Sequence, residues 1–202
     1  MNIYVINGPN INLLGTREPE IYGKETLKSI SKKCIDQGLR DGHDVKFMQS
    51  NYEGEIVEWI QNAITEKIDA IVINAAAYTH TSIAIHDALK SYSGFKIELH
   101  ISNPHLRETF RHISYISSVV DAIVAGLGAD GYSHVIELLT DLQKHYKQKK
   151  IKSSIFSKKL SRIRKYLSMH HINVVCMNAT ATTDKIYTTL FPLRRICTIF
   201  LC

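Results

Sequence analysis

The chain contains few cysteines and no long hydrophobic run, and each shortage excludes a class of protein. Of its four cysteines, Cys34 lies in the first 150 residues and three lie beyond them, which fits neither a disulfide framework nor a paired zinc motif. No apolar run approaches the roughly 18 residues that a membrane span requires. The start of the chain, MNIYVIN, also lacks the cationic leader of a secretory signal. We therefore expect a soluble, cytoplasmic protein with reduced thiols.

Positive charge is concentrated in the last quarter of the chain. Residues 151 to 202 contain nine Lys or Arg and one Asp, so their net charge is +8. The whole chain has a net charge of +6, so residues 1 to 150 carry 6 − 8 = −2. The basic isoelectric point of about 9.1 thus describes this segment, and no nucleic-acid or membrane partner is expected for residues 1 to 150. We predict one catalytic domain over 1–150 and a basic C-terminal extension over 151–202 that is not an independent domain.

Short apolar runs alternate with helical spacings over the first 148 residues. The runs lie at 2–7, 43–49, 69–74, 95–101 and 119–126. Strands that are apolar throughout are typical of a parallel sheet buried on both faces. Apolar residues recur at helical spacing between them and after the last: Leu27, Ile30, Cys34, Ile35; Ile56, Val57, Ile60, Ile64; Ile83, Ile85, Ala88, Leu89; Val135, Leu138, Leu139, Leu142. This alternation predicts an α/β fold, a flavodoxin-like, doubly wound, five-stranded parallel sheet with helices on both faces.

Polar residues follow three of these strands. A long loop follows the first strand, residues 74–82 follow the third, and residues 100–111 follow the fourth. Ligands of open parallel sheets bind outside the carboxyl ends of the strands. We therefore expect these three loops to meet at one edge of the sheet.

The loop over residues 8–22 is punctuated by Gly and Pro and contains Asn10, Arg17 and Tyr22. Long connections without secondary structure are uncommon in compact domains unless they have a function, which predicts a lid. A guanidinium close to Tyr22 would favour the tyrosinate, which is a base strong enough to remove a proton from carbon. The alternative is a surface turn set by Pro19, in which both side chains are solvated.

Several motifs, in order over residues 1 to about 148, together resemble type II 3-dehydroquinate dehydratase. They are GPN at 8–10, REP at 17–19, YG at 22–23, NAAAYTHTS at 74–82, Asp87, ELHISN at 98–103, Arg107, Arg111 and GLG at 126–128. The resemblance implies dehydration of 3-dehydroquinate to 3-dehydroshikimate, the third step of the shikimate pathway to chorismate and the aromatic amino acids. It also implies that no metal or organic cofactor takes part.

The resemblance assigns the catalytic roles. The leaving hydroxyl is β to a ketone, so removal of the α-proton gives an enolate, which needs a base, an oxyanion stabiliser and an acid. By resemblance the base is Tyr22, the stabiliser is Asn10 acting through a bound water, and the acid is His100. Ionising a phenol with a reference pKa near 10 at pH 7 costs about 4 kcal/mol, and we expect Arg17 to supply it from within a closed lid.

The resemblance also assigns substrate binding. Asn74, Ile101 and Ser102 are implied to hold the carboxylate, while His80 and Arg111 hold the ring hydroxyls. Simpler interpretations exist, because His80 lies beside Thr79, Thr81 and Ser82, any of which could cap a helix, and His100 could be a buried structural histidine.

Asp87 is implied to reach the site of a neighbouring subunit. Such a contact implies an oligomer, and family members form dodecamers built from trimers. A carboxylate on an exposed helix face is the alternative for Asp87.

Residues 126–131 form a second possible site, because GLGADG matches GxGxxG. A dinucleotide fingerprint follows the first strand of its domain and precedes an acidic residue about 20 positions on. This copy follows the last strand, so we predict a tight turn that allows close packing.

The extension lies beyond the resemblance. Its segment 155–167 permits a basic amphipathic helix, and its apolar stretches 172–176 and 196–202 are typical of strands that need cover. We favour translated sequence beyond the ancestral end, which either is poorly ordered or docks on the domain. Two other functions stay open: catabolic use of the same reaction, and a scaffold whose extension contacts nucleic acid or membrane.

Overall fold

The computed structural model describes residues 1–15, 25–147, 173–176 and 198–201, with side chains described as far as residue 141. These residues include one sheet with the strand order β2-β1-β3-β4-β5-β7-β6. The strands are β1 Asn2–Asn7, β2 Asp44–Gln49, β3 Ala70–Asn74, β4 Phe95–His100, β5 Ala122–Ala125, β6 Asn173–Cys176 and β7 Thr198–Leu201.

The first five strands are parallel, in the order β2-β1-β3-β4-β5. The five-stranded doubly wound sheet predicted from the sequence is therefore confirmed. Its central strand β3 has the sequence AIVIN, and all five residues are buried. Because helices cover both faces of the sheet, alternate side chains have no solvent to face, which explains the uninterrupted apolar run.

Within the described residues, four α-helices cover the two faces of the sheet. They are α1 Leu27–Arg40, α2 Glu53–Thr65, α3 Ile83–Ser91 and α4 Asp130–Lys147. Ile30 of α1 and Val135 of α4 belong to the hydrophobic cluster on one face, whereas Ile60 of α2 and Leu89 of α3 belong to the cluster on the other.

Three residues assigned to the apolar helix faces are instead exposed. Ile35, Ile64 and Ile83 are 36%, 44% and 52% exposed. Only one stripe of each helix meets the sheet, and these three lie outside it.

Ser82 caps the helix that follows β3. Its hydroxyl accepts a hydrogen bond from the backbone N–H of Ile85 at 2.9 Å, and its backbone is extended, as is typical of a capping residue. Of the hydroxyl residues beside His80, Ser82 therefore supplies the cap.

The C-terminal extension contributes two strands to the sheet. Strand β7 pairs antiparallel with β5, with Ala122 opposite Leu201 and Ala125 opposite Thr198, and β6 pairs parallel with β7. The two strands fall within the apolar stretches 172–176 and 196–202, and β7 covers the edge of β5 that the five-stranded sheet would leave open. The predicted helix over 155–167 lies outside the described residues. No helix in the described part of the chain combines the length and the apolar character of a membrane span.

Candidate active site

A cavity of about 200 Å³ lies at the carboxyl ends of β1, β3 and β4. Its lining residues come from the loops that follow these strands, so the predicted meeting of the three loops at one sheet edge is confirmed. The lining includes seven of the ten predicted site residues: Asn10, Asn74, His80, His100, Ile101, Ser102 and Arg111.

Tight backbone packing sets the direction in which the chain leaves β1. The backbone N–H of Gly8 donates to the carbonyl of Asn74 at 2.8 Å, and a Cβ at position 8 would overlap the carbonyl oxygen of Ala75. Asn10 then takes a left-handed backbone conformation with φ of 66°, and its N–H donates to Oδ1 of Asn51 at 3.0 Å. Asn10 is thus held at the cavity wall by the neighbouring loop.

His100 ends β4 beside a buried carboxylate. Its Nε2 lies 2.9 Å from Oε1 of Glu98, and the two side chains are 11% and 0% exposed. A carboxylate only accepts hydrogen bonds, so Nε2 carries the proton and Nδ1 is left for the cavity. The pair therefore fixes the orientation of the imidazole at the cavity.

Glu98 stays ionised although it is buried. Burial by itself raises the pKa of this carboxyl, but the hydrogen bond and charge of His100 and the hydroxyls of Ser117 and Ser114 outweigh burial and lower the pKa. Ser114 donates to Oε1 at 2.8 Å and Ser117 to Oε2 at 2.5 Å. Three donors thus replace the water that a carboxylate would otherwise bind.

His80 offers the cavity a hydrogen-bond acceptor. Its Nδ1 donates to the carbonyl of Ile113 at 2.7 Å, which leaves the Nε2 lone pair of the neutral ring for a ligand. Burial lowers the pKa of His80, and the charges of His100 and Arg111 lower it further, although the bond to Ile113 opposes them. A neutral His80 can accept a hydrogen bond from a hydroxyl group.

Arg107 and Arg111 both reach the cavity, and both contact one acid. Nε of Arg111 donates to Oε2 of Glu108 at 2.8 Å, and Nε of Arg107 lies 3.5 Å from the same oxygen. Glu108 therefore contacts the Nε edge of both guanidinium groups. The two terminal nitrogens of Arg111 carry four further N–H donors, which this contact does not use.

The glycines of the GLG motif support the exit of β4. Gly126 and Gly128 have φ of 84° and 64°. The backbone N–H of Gly126 donates to the carbonyl oxygen of His100 at 3.2 Å, and the backbone N–H of Gly128 donates to the carbonyl oxygen of Ile101 at 2.9 Å. These left-handed conformations are favourable for glycine. The predicted tight turn is confirmed, and it fixes the backbone that carries His100 and Ile101.

Two residues were missed as functional candidates. Glu98 lies within the ELHISN segment, and an acid in an apolar strand two positions before a histidine was the available signal. Tyr132 is buried and its hydroxyl bonds both Asn7 and Asn74. It lies on the sheet-facing side of a helix, where a tyrosine gives no signal beyond core packing.

Three predicted site residues are not placed at the cavity. Arg17 and Tyr22 fall within residues 16–24, which lie outside the described part of the chain. Asp87 is on α3 with a side chain that is 72% exposed, and it is not among the residues that line the cavity.

Comparison with known proteins agrees with this geometry. The family model described as Dehydroquinase class II matches residues 1–140. The 3-dehydroquinate dehydratase of Bartonella henselae is 54% identical over 139 residues, covering 69% of this chain and 93% of the relative. That of Cereibacter sphaeroides is 49% identical over 140 residues, covering 69% and 95%. The crystal structure of type II dehydroquinase from Butyrivibrio crossotus has a TM-score of 0.68 and 46% identity, covering 69% and 97%. The chain belongs to the class II dehydroquinase family.

Proposed function

We propose that this chain is a hydro-lyase that converts 3-dehydroquinate to 3-dehydroshikimate in the shikimate pathway. The observation that carries the proposal is the Glu98–His100 pair at the wall of a cavity that also contains Asn10, Asn74 and His80. Relatives that bear the name 3-dehydroquinate dehydratase support the substrate.

The reaction begins with removal of the α-proton by the phenolate of Tyr22. Arg17 lowers the cost of ionising this phenol, which is about 4 kcal/mol at pH 7 for an unperturbed tyrosine. The enolate oxygen is stabilised by Asn10 through a bound water. What supports Asn10 in this role is its fixed backbone, which costs no reorganisation during the reaction.

The enolate then expels the β-hydroxyl, and His100 supplies the proton. The proton moves from Nδ1 to the departing oxygen, water leaves, and the electrons of the enolate form the conjugated enone. Support comes from Glu98, which holds Nε2 and so leaves Nδ1 for the departing oxygen.

The substrate carboxylate is bound by Asn74, Ile101 and Ser102. The ring hydroxyls are bound by His80 and Arg111. This division fits the chemistry of the cavity, since His80 presents an acceptor to a hydroxyl and Arg111 presents donors.

Formation of the enone tests the proposal. We expect the full chain to convert 3-dehydroquinate to a product with the ultraviolet absorbance of a conjugated enone, with a metal chelator and borohydride both present. Loss of turnover in borohydride would indicate a lysine Schiff base, and no enone under any condition would refute the activity.

Substitution of the base tests the mechanism. We expect Tyr22→Phe to abolish turnover while substrate still binds, and Arg17→Ala to do nearly the same, because the phenol then stays protonated. A near-normal rate for Tyr22→Phe would remove Tyr22 from the mechanism. Binding of 3-dehydroquinate to the variant, followed by calorimetry, separates loss of chemistry from loss of the site.

We propose further that the site is completed by a neighbouring subunit through Asp87, in a homododecamer built from trimers. Asp87 is exposed, and so are the apolar side chains of Ile83, Leu106, Phe110 and Ile113, from 52% to 73%. Exposed apolar side chains on α3 and on the segment after β4 are expected at a subunit contact.

Mixing two inactive variants tests the shared site. If each site takes His100 from one chain and Asp87 from the next, refolding a 1:1 mixture of His100→Ala and Asp87→Ala restores about a quarter of the sites. A mixture no more active than the mean of its two components would place both residues in one subunit's site or remove Asp87 from it.

We also propose a cytoplasmic location and a catalytic domain that ends near residue 150. The family match to residues 1–140 supports this boundary.

A further inference from the structure

A chain of three side-chain hydrogen bonds lies under the floor of the cavity. Nδ2 of Asn74 donates to the hydroxyl of Tyr132 at 2.8 Å, and this hydroxyl donates to Oδ1 of Asn7 at 2.5 Å. Nδ2 of Asn7 in turn donates to the carbonyl of Met48 at 2.9 Å. Asn7, Asn74 and Tyr132 are 0%, 3% and 1% exposed, so water does not compete for these bonds.

The chain of bonds has only one consistent direction. The carbonyl of Met48 can only accept, so it takes the NH₂ group of Asn7 and leaves Oδ1 of Asn7 to face Tyr132. Tyr132 has a single hydroxyl proton, which it gives to this oxygen. Its remaining lone pairs can receive only a donor, so Asn74 must present Nδ2 to it and not Oδ1.

The phenol of Tyr132 is well placed to enforce this direction. Burial raises its pKa far above neutrality, so the hydroxyl keeps its proton. The ring packs against Phe47 with centroids 5.8 Å apart, and Asn7 and Asn74 are paired residues at the ends of β1 and β3. Both the ring and the two amides are therefore held in place by regular structure.

We propose that Tyr132 is a positioning residue for substrate binding, because its hydroxyl fixes the orientation of the Asn74 amide at the cavity wall. With one N–H of Nδ2 engaged by Tyr132, the second N–H and Oδ1 have defined directions. The second N–H is the donor that recognises a carboxylate. The inference rests on the proposed role of Asn74 in the proposed function.

Without the hydroxyl, the side-chain amide of Asn74 can flip, so that Oδ1 takes the position of Nδ2. Tyr132→Phe keeps the ring and its contact with Phe47 but removes the one group that distinguishes the two orientations. The contact with the carboxylate exists before and during the reaction, so its loss acts on KM more than on kcat. We expect KM for 3-dehydroquinate to rise about 3- to 10-fold and kcat to change by less than about 2-fold.

Tyr92 provides a matched control. It is also buried, at 3% exposed, and its hydroxyl donates to the carbonyl of Ile68 at 2.7 Å. Ile68 precedes β3, whereas Asn74 ends it, so this bond lies at the opposite end of the strand from the cavity. Tyr92→Phe removes one buried hydrogen bond, whereas Tyr132→Phe removes two, so Tyr92→Phe should lower the unfolding temperature by a smaller amount and should not change KM.

The experiment uses the full chain as wild type, Tyr132→Phe, Tyr92→Phe, Asn74→Ala and the double variant Asn74→Ala/Tyr132→Phe. Steady-state kinetics give KM and kcat, and thermal unfolding checks each fold. Inhibition by 3-dehydroshikimate and by its methyl ester measures selectivity for the carboxylate. We expect Tyr132→Phe to raise KM and to reduce the preference for the acid over the ester, and we expect no further rise in the double variant over Asn74→Ala.

Other results separate this inference from the proposed function. If Asn74→Ala raises KM but Tyr132→Phe behaves like Tyr92→Phe, the positioning role is refuted while the function stands. Additive effects of Asn74→Ala and Tyr132→Phe would also refute it, because Tyr132 would then act independently of Asn74. If Asn74→Ala leaves KM unchanged, Asn74 does not bind the carboxylate and the inference fails with it. Absence of turnover in the wild type would refute the proposed function itself.

Discussion

Replacing Glu98 by glutamine tests what the buried carboxylate contributes to the action of His100. The variant keeps the size of the side chain and can keep an acceptor at Oε1, but it removes the negative charge 2.9 Å from Nε2. Of the contacts that lower the pKa of Glu98, His100 is the one that can carry a positive charge. The imidazole therefore loses the buried negative charge that contacts its Nε2.

The size of the effect follows from the kind of bond. A hydrogen bond with a charged partner contributes about 1.5–3 kcal/mol, compared with about 1 kcal/mol for a neutral one. The variant converts the first kind to the second, so the loss is about 0.5–2 kcal/mol, and each 1.36 kcal/mol corresponds to a tenfold change in rate. We expect kcat at neutral pH to fall by about 2- to 30-fold.

The assay is enone formation at saturating substrate from pH 5 to 10, with Ser117→Ala as the control. That control removes the hydroxyl that bonds Oε2 at 2.5 Å but keeps the carboxylate, so it should affect kcat less than Glu98→Gln does. A Glu98→Gln enzyme with the wild-type rate would show that the carboxylate does not support His100.

Further predictions concern stability and the extension. Since the folded pKa of Glu98 lies below its usual value of 4.5, ionised Glu98 contributes stability that is complete above about pH 4.5 and is lost as pH falls through the folded value. Urea unfolding should therefore show a steeper loss of stability below pH 4.5 in the wild type than in Glu98→Gln, and equal slopes would contradict the depressed pKa. Gly8→Ala should destabilise the fold by about 2–4 kcal/mol, because its Cβ meets the carbonyl oxygen of Ala75; an unchanged urea midpoint would show that the β1 exit can shift. Truncation after residue 150 should preserve kcat. The match to the Bartonella henselae and Butyrivibrio crossotus relatives uses 69% of this chain and already covers 93% and 97% of those proteins. Loss of turnover, or salt-sensitive RNA or lipid binding by the full chain alone, would give the extension a function.

The five-stranded sheet could be predicted because its inner strands β1 and β3 are buried on both faces. A strand such as β3, with five buried residues, produces an apolar run that has no other simple explanation, and the rule that ligands bind at the carboxyl ends of parallel strands then located the cavity. The pairing of β7 with β5 could not be predicted, because a register between distant segments leaves no local signal. The apolar stretches indicated only that they needed cover.

The identities of the cavity residues could be predicted, but not their orientations. His100 was a candidate from its position at a strand end and from the family resemblance. Which ring nitrogen faces the cavity depends on Glu98, and which end of the Asn74 amide is engaged depends on Tyr132, 58 residues later. Such contacts are made across the core, and a tyrosine on an apolar helix face does not differ in sequence from one that only packs.

A crystal structure of the full-length Tyr22→Phe variant with 3-dehydroquinate bound would test the central claim most directly, since that claim assigns the reaction to the cavity between the β1, β3 and β4 loops. The account predicts the substrate carboxylate against Asn74, Ile101 and Ser102, with the departing hydroxyl within hydrogen-bond reach of Nδ1 of His100. Substrate bound elsewhere, or bound in this cavity with the hydroxyl away from His100, would contradict it.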